Sequence, residues 1–319
     1  MIQRRRLVLG AGLAAAGTLA APSILRAQGK AVKMGCLRLV HSMPPFFYEK
    51  FAPEGTKIEV VVFDSPTDGK NAVVTKSVDF GTFGIAAAIL GAAAGEPVVV
   101  VGAMCNKGMG VIAKAGSPIK SIKDLKGKKV GIWPGSTQEV FIMERLKMEG
   151  LSIKDVSAVR VPFGEMPTML QRGDIDAYVG AEPAPGLSIS TGAGQLVEYP
   201  YSTAMGGLNM IFATHADTVA NNPDLVKAML KTQRQAAEFM AANTPAVVDA
   251  SVQKLGANRA AVEQALGAKN VEYIWKLDGT VVGQAKTYAQ HMLDLKQIRA
   301  LPKFETFLNP KFSNELANS

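Results

Sequence analysis

The chain has 319 residues, 48% of them hydrophobic, and a formal net charge of +8. That apolar share excludes a disordered chain, and the length suits two domains or one large one. Arg4, Arg5, Arg6 and Arg26 all precede residue 28, and without them the basic surplus falls to about four, too mild a balance to imply nucleic acid as a partner.

Residues 1–28 read as a targeting segment. Arg4-Arg5-Arg6 precedes Leu7-Val8-Leu9 and a Gly/Ala-rich apolar run to about Ala21, and no acidic residue occurs before Glu49. A basic start, a short apolar run and a small residue at Ala27 describe an export signal cleaved near that alanine. The paired arginines point to the twin-arginine route and the periplasm. The run is too short to span a bilayer comfortably. Leu9-Gly10-Ala11-Gly12 with Gly17 imitates a dinucleotide-binding turn. It is rejected because no acidic residue follows some 20 positions on and Pro22 breaks the helix.

Past the leader, strand and helix signals alternate. Val32–Leu37 reads as a strand, Phe46–Phe51 as a short helix and Lys57–Phe63 as a strand. Ser65–Gly69 is a turn, with Thr67 and Asp68 expected to cap a helix starting near Gly69. Then come strand Phe80–Thr82, an Ala-rich helix Ile85–Ala94 and a buried strand Pro97–Gly102. A second block holds strands Gly110–Lys114, Lys129–Trp133, Val156–Val161 and Ala177–Gly180. Its helices are Ser121–Lys126, one after Gly135, and Met166–Arg172. Met210–Thr214 is a last strand, and from Asn221 the pattern is mostly helical. This alternation predicts an α/β fold with ligands at the carboxyl ends of strands. Cys36 and Cys105 sit in apolar strand-like runs, where buried free thiols are expected, although export would permit a bridge. His41, His215 and His291 lack the spacing of a zinc site, and no metal or cofactor is expected. Lys126, Lys128 and Lys129 read as a solvated turn.

The most informative stretch is Val130–Thr137. It is a strand, a Gly/Pro turn, then Ser136 and Thr137 where a helix begins. Free N–H groups, two hydroxyls and the positive end of the helix dipole suit a small anion, although an ordinary cap would look the same. Arg38, past the first strand, could grip a carboxylate or sulfonate, or form a surface ion pair.

Three ordered segments carry a family resemblance. The first is Val78–Gly84, the Ala-rich helix and Gly95-Glu96-Pro97. The second is Ser121–Gly131 leading into Gly135-Ser136-Thr137. The third is Met169–Ala177 followed by Glu182-Pro183 and Gly192-Ala193-Gly194. Together they resemble the periplasmic substrate-binding proteins of ABC transporters, in the nitrate/sulfonate/taurine (SsuA/THI5-like) branch. The likeness covers about residues 32–215 well and the helical tail weakly. It implies a type 2 periplasmic-binding-protein fold, with two α/β lobes joined by two crossing strands near Gly102–Gly108 and Leu208–Thr214. Lobe 1 would combine residues 29–105 with 211–319, and lobe 2 would span 106–210. The lobes would close like a hinge on a ligand.

The resemblance implies ligand contacts from Arg38 and Leu39, with His41 at the rim and Thr67 nearby. Thr82, Phe83 and Gly84 would contribute from one strand-to-helix turn, and Gly135, Ser136 and Thr137 from another. Trp133, Gly164, Glu165, Glu182 and Asn209 complete the set. Phe83 and Trp133 could equally be core, and Glu182 could tie the hinge rather than meet ligand. The expected function is a non-enzymatic periplasmic receptor, a monomer that hands a small anion to an ABC permease with its ATPase. The anion would be a sulfonate, nitrate or carboxylate. Phe83, Trp133 and Tyr201 would alternatively suit a flat aromatic acid or a pyrimidine/thiamine precursor. A pyrimidine-synthesising enzyme of the same fold is a further alternative, but its dense cysteine cluster is missing from this sequence. A sensor that never meets a transporter would show the same pocket.

Overall fold

The computed structural model describes residues 31–318. The proposed leader, residues 1–28, therefore lies outside the described residues.

The first sheet opens with β1 (Val32–Leu37) and β2 (Ile58–Phe63), parallel and in register from Val32 opposite Ile58. Helix α1 (Pro66–Val74) leads to β3 (Phe80–Gly84), parallel to β1, and α2 (Ile85–Ala93) leads to β4 (Val98–Lys107). The four consecutive valines that start β4 are β-branched and buried, as a strand covered on both faces requires.

The second sheet is built from β5 (Met109–Lys114), β6 (Lys129–Ile132), β7 (Ser157–Arg160), β8 (Ala177–Ala181) and β9 (Gly194–Glu198). Helix α3 (Thr137–Met148) follows β6, α4 (Met166–Arg172) precedes β8, and α5 (Ala184–Ser190) follows it. The strand order is β7-β6-β8-β5-β9, with β6 parallel to both of its neighbours.

The chain then returns. Strand β10 (Leu208–His215) inserts between β3 and β4, antiparallel to both. Helices α6 (Ala216–Asn221), α7 (Pro223–Ala242), α8 (Thr244–Leu255) and α9 (Arg259–Gly267) precede β11 (Val271–Tyr273) on the edge of β4. Helices α10 (Gly279–Asp294), α11 (Phe304–Phe307) and α12 (Lys311–Ala317) finish the chain. The first sheet thus reads β11-β4-β10-β3-β1-β2. This is the α/β architecture expected, two sheets joined twice.

Several boundaries differ from expectation. Strand β4 runs five residues past Gly102, because β10 and β11 supply ladder partners as far as Lys107. Ser65 caps α1 by accepting the Asp68 N–H at 3.1 Å, so the helix begins at Pro66 and neither Thr67 nor Asp68 caps it. The segment around Phe46 is a 3-10 helix, Pro44–Lys50, as two leading prolines favour. The first passage between sheets is the Lys107–Gly108 turn. The second is residues 199–207, just before β10, since β10 itself pairs along its length within the first sheet. Gly108 has φ +83, and a Cβ there would lie 2.7 Å from the His41 ring, so only glycine lets the chain turn against that imidazole.

One contiguous apolar core includes Phe80, Phe83, Val100, Ile211 and Tyr288 around the first sheet and Val140, Phe141, Phe163 and Tyr178 around the second. A smaller core lies on the other face of the second sheet, around Ile122, Val130 and Leu146.

Candidate functional site

A cleft of about 330 Å³ opens where strand ends from both sheets meet. Arg38 and Leu39 come from the end of β1, and Asp64 from the end of β2. The segment from Pro162 to Glu165 follows β7, and that from Ala181 to Leu187 ends β8 and starts α5. The turn between α8 and α9, Leu255–Ala261, completes the wall. Convergent carboxyl strand ends are the usual ligand position of open α/β sheets. The walls are mostly apolar, with Leu39, Phe163, Pro167, Pro183 and Leu187 prominent, and polar atoms come from Arg38, Asp64, Glu165 and Asn258. An apolar cleft with a few polar groups suits a small organic molecule.

Arg38 is not free in this structure. Its Nε donates to Asp64 Oδ1 at 2.9 Å, with both side chains more than half exposed. Such a pair is worth at most about 1 kcal/mol, so an anion entering the cleft could recruit the guanidinium cheaply. Leu39, Gly164 and Glu165 join Arg38 in the cleft wall. Trp133 is half-buried behind Phe163, ring centroids 6.5 Å apart, with the Arg160 guanidinium 5.0 Å over the indole.

The start of α3 forms a second cluster. Ser136 caps the helix, its hydroxyl accepting the Glu139 N–H at 3.2 Å. The Gly135 N–H donates to Glu139 Oε2 at 2.8 Å. Thr137 is buried, and its hydroxyl donates to the Asn209 carbonyl at 3.5 Å. Gly84, the cap of α2, touches it so closely that a Cβ would sit 2.4 Å from Thr137 Oγ1. Thr67, exposed, lies beside Gly135, its hydroxyl 3.8 Å from where a Cβ on that glycine would sit. In this structure the Gly135, Ser136 and Glu139 N–H groups are engaged by the protein's own groups, Ser136 on the Trp133 carbonyl at 3.3 Å, and residues 135–137 do not line the cleft.

Other expected contacts are placed in the interior. Phe83 is fully buried in the core. Thr82 is also buried, its hydroxyl 2.8 Å from the Ser42 hydroxyl, which accepts the Leu37 N–H. His41 sits not at a rim but at zero exposure, where burial lowers its imidazole to about 3 and neither ring nitrogen has a hydrogen-bond partner. Asn209 donates to the Lys107 carbonyl at 2.5 Å, leaving its Oδ1 buried and unpaired. Tyr201 does not line the cleft. Its hydroxyl accepts the Met109 N–H at 2.8 Å and lies 2.7 Å from Asn270 Oδ1.

Glu182 ties the passage between sheets. Its backbone N–H donates to the Gly108 carbonyl at 2.9 Å, and its carbonyl accepts the Val40 N–H at 3.1 Å. Its carboxyl accepts from Asn270 Nδ2 at 2.7 Å and from the Gly186 N–H at 3.0 Å. Burial pushes that carboxyl up to about 7, against the two hydrogen bonds that lower it. Cys36 and Cys105 are buried and unbridged, and burial raises the Cys36 thiol to about 12.

Sequence reasoning missed Asp64, Leu187 and the α8–α9 turn. Asp64 was findable, because it directly follows a strand just as Arg38 does. The α8–α9 turn carries no local signal, since only the tertiary fold brings residues 255–261 to the strand ends.

A family model described as NMT1/THI5 like matches residues 49–246, more than half of the chain. The chain belongs to the NMT1/THI5-like family. A protein of Escherichia coli (strain K12) named as binding aliphatic sulfonates is 29% identical over 177 residues, 54% of this chain and 55% of that protein. The 4-amino-5-hydroxymethyl-2-methylpyrimidine phosphate synthase of Schizosaccharomyces pombe is 25% identical over 198 residues, 58% of this chain and 56% of the enzyme. The chain thus matches little more than half the length of these relatives. Among solved structures, the periplasmic aliphatic sulphonate binding protein SsuA from Escherichia coli superposes with a TM-score of 0.74 at 17% identity, covering 89% of this chain and 93% of that one. At that identity the likeness establishes a shared fold. Among the described residues, no helix is long and apolar enough to cross a membrane.

Proposed function

We propose that this chain is the periplasmic solute receptor of an ABC importer, binding a small organic anion between its two lobes. The observation that carries the reading is the cleft itself: apolar walls drawn from both sheets, with one guanidinium, Arg38, at a strand end. A sulfonate or carboxylate would exchange Asp64 for itself on Arg38, a bidentate partner of similar shape. At about 330 Å³ the cleft offers far more room than nitrate fills, so the organic members of the class fit best. The leader and the family's binding-protein members support export and a permease with its ATPase as partner. Closure of residues 106–210 toward the rest would present both lobes to that partner.

Binding rather than catalysis is the proposed role. The Cys36 thiol stays protonated at neutral pH, and the His41 imidazole is sealed from solvent. A second reading rests on Asp64 and Glu165. Two carboxylates in the wall offset Arg38 and favour a neutral flat heterocycle, such as a pyrimidine, over an anion. Thermal-shift and calorimetric titration with hexanesulfonate, benzenesulfonate, benzoate, nitrate and an aminopyrimidine separates the two. Stabilisation by the organic sulfonates or benzoate, and not by nitrate, is expected. Stabilisation by the aminopyrimidine alone would replace the anion reading with the second.

A further inference from the structure

Helix α10 and the residues after it meet α3 at three points. The Tyr288 ring stands edge-on to Phe141, centroids 5.4 Å apart. His291 Nδ1 lies 2.7 Å from Glu144 Oε2, too poorly aligned to count as a hydrogen bond. Gln297 Nε2 donates to Glu139 Oε2 at 3.0 Å. That same Glu139 oxygen accepts the Gly135 N–H at 2.8 Å. One carboxylate oxygen therefore joins the turn that starts α3 to a residue about 160 positions later in the chain. The tail side of this contact belongs to the first sheet, because the Tyr288 hydroxyl donates to the Leu208 carbonyl on β10 at 2.9 Å.

Gln297 is held there at some expense. Its Oε1 is buried with no partner, while its Nε2 reaches Glu139 and lies 3.5 Å from Met143 Sδ. An unpaired buried carbonyl is unfavourable, so the amide's orientation is set by the bond that its nitrogen makes.

We propose that Gln297 is a positioning residue that holds the Gly135–Thr137 turn from the opposite lobe, through Glu139, so that the turn keeps its shape only while α3 and α10 stay together. This rests on the two-lobe receptor reading in one respect, that α3 and α10 separate when the cleft opens. Any group that takes up the Gly135 N–H must displace the Glu139 carboxylate from it, and Gln297 sets how firmly that carboxylate is held. Gln297 thus couples lobe closure to the availability of the Gly135 N–H without itself touching a ligand.

The test uses the mature full-length chain with no ligand added, so its result is independent of the ligand's chemistry. Hydrogen exchange is followed by mass spectrometry on peptides covering residues 133–139. Gln297→Glu sets a second carboxylate against Glu139, and exchange at the turn is expected to rise at least tenfold. The double variant Glu139→Gln/Gln297→Glu reverses the polarity of the pair. The new amide's oxygen can accept the Gly135 N–H while its nitrogen donates to the new carboxylate, so exchange should return to within about twofold of wild type. Gln297→Ala, with no added charge, should fall between, and decides the matter if Gln297→Glu fails to fold by circular dichroism. Wild-type exchange in both single variants overturns the proposal. So does a double variant as loose as Gln297→Glu, which is what a merely space-filling Gln297 would give.

Discussion

Glu182 makes a stability prediction of unusual sign. Its carboxyl is at 1% exposure and burial moves it from 4.5 to about 7. Between those values the folded chain binds a proton that the unfolded chain has already lost. Stability from this group is therefore fully present below about pH 4.5 and lost as the pH rises through 7. At about 1.36 kcal/mol per unit, the loss by pH 8 is about 3 kcal/mol. Glu182→Gln copies the protonated carboxyl in shape and charge. It sets an NH2 against one of the two donors, Asn270 Nδ2 or the Gly186 N–H, where the acid's hydroxyl oxygen can still accept, a loss of about 1–3 kcal/mol that does not depend on pH. The variant's stability relative to wild type should therefore rise by about 2–3 kcal/mol between pH 5 and pH 8. Urea unfolding at pH 5, 6, 7 and 8 measures the difference, and taking that difference removes every other titrating group. Parallel pH profiles for the two proteins, or a difference that shrinks as the pH rises, would refute the reasoning.

Four further outcomes are expected. His41, lowered to about 3 by burial, has the opposite slope: the unfolded chain binds its proton first, so stability falls as the pH drops from 6.5 toward 3. His41→Leu should lessen acid sensitivity by about 2 kcal/mol at pH 5, read from the same urea series. Gly84→Ala drives a methyl into Thr137 Oγ1 and should cost about 1–3 kcal/mol, with Thr137→Ala as second-site relief in a double-mutant cycle. Arg38→Ala should change the urea midpoint little, because the Asp64 pair is exposed, yet weaken benzenesulfonate binding at least tenfold by calorimetry. Replacing Arg4 and Arg5 together by Lys should leave precursor in the cytoplasm, and unchanged periplasmic yield in a strain lacking the twin-arginine pathway would overturn that route.

Local pattern carried the elements and stopped at their assembly. Val32–Leu37 and Met166–Arg172 are strand and helix over the same residues that periodicity picks out, since each has a clear stop, Arg38 past the strand and Gly173 in the left-handed region after the helix. Gly135-Ser136-Thr137 was legible as a helix start for the same reason. What the sequence could not show is that Glu139, one turn along, would satisfy the Gly135 N–H itself. Nor could it show that Phe83, adjacent to a strand-to-helix turn, points into the core while Asp64 points into the cleft. Those outcomes depend on which faces the two sheets present to each other, and that is decided by contacts between residues far apart in the chain. The α8–α9 turn, 255–261, is the extreme case.

The place of β10 has a consequence for how the chain comes into being. Strand β10 separates β3 from β4, yet it is synthesised some hundred residues after them. Until it arrives, both strands present open hydrogen-bonding edges flanked by apolar side chains. The second sheet, drawn wholly from residues 109–198, has all of its strands in hand earlier. Assembly should thus run from the middle of the chain outward, and the nascent molecule is most prone to pair with a stranger in the interval before residue 208 is available.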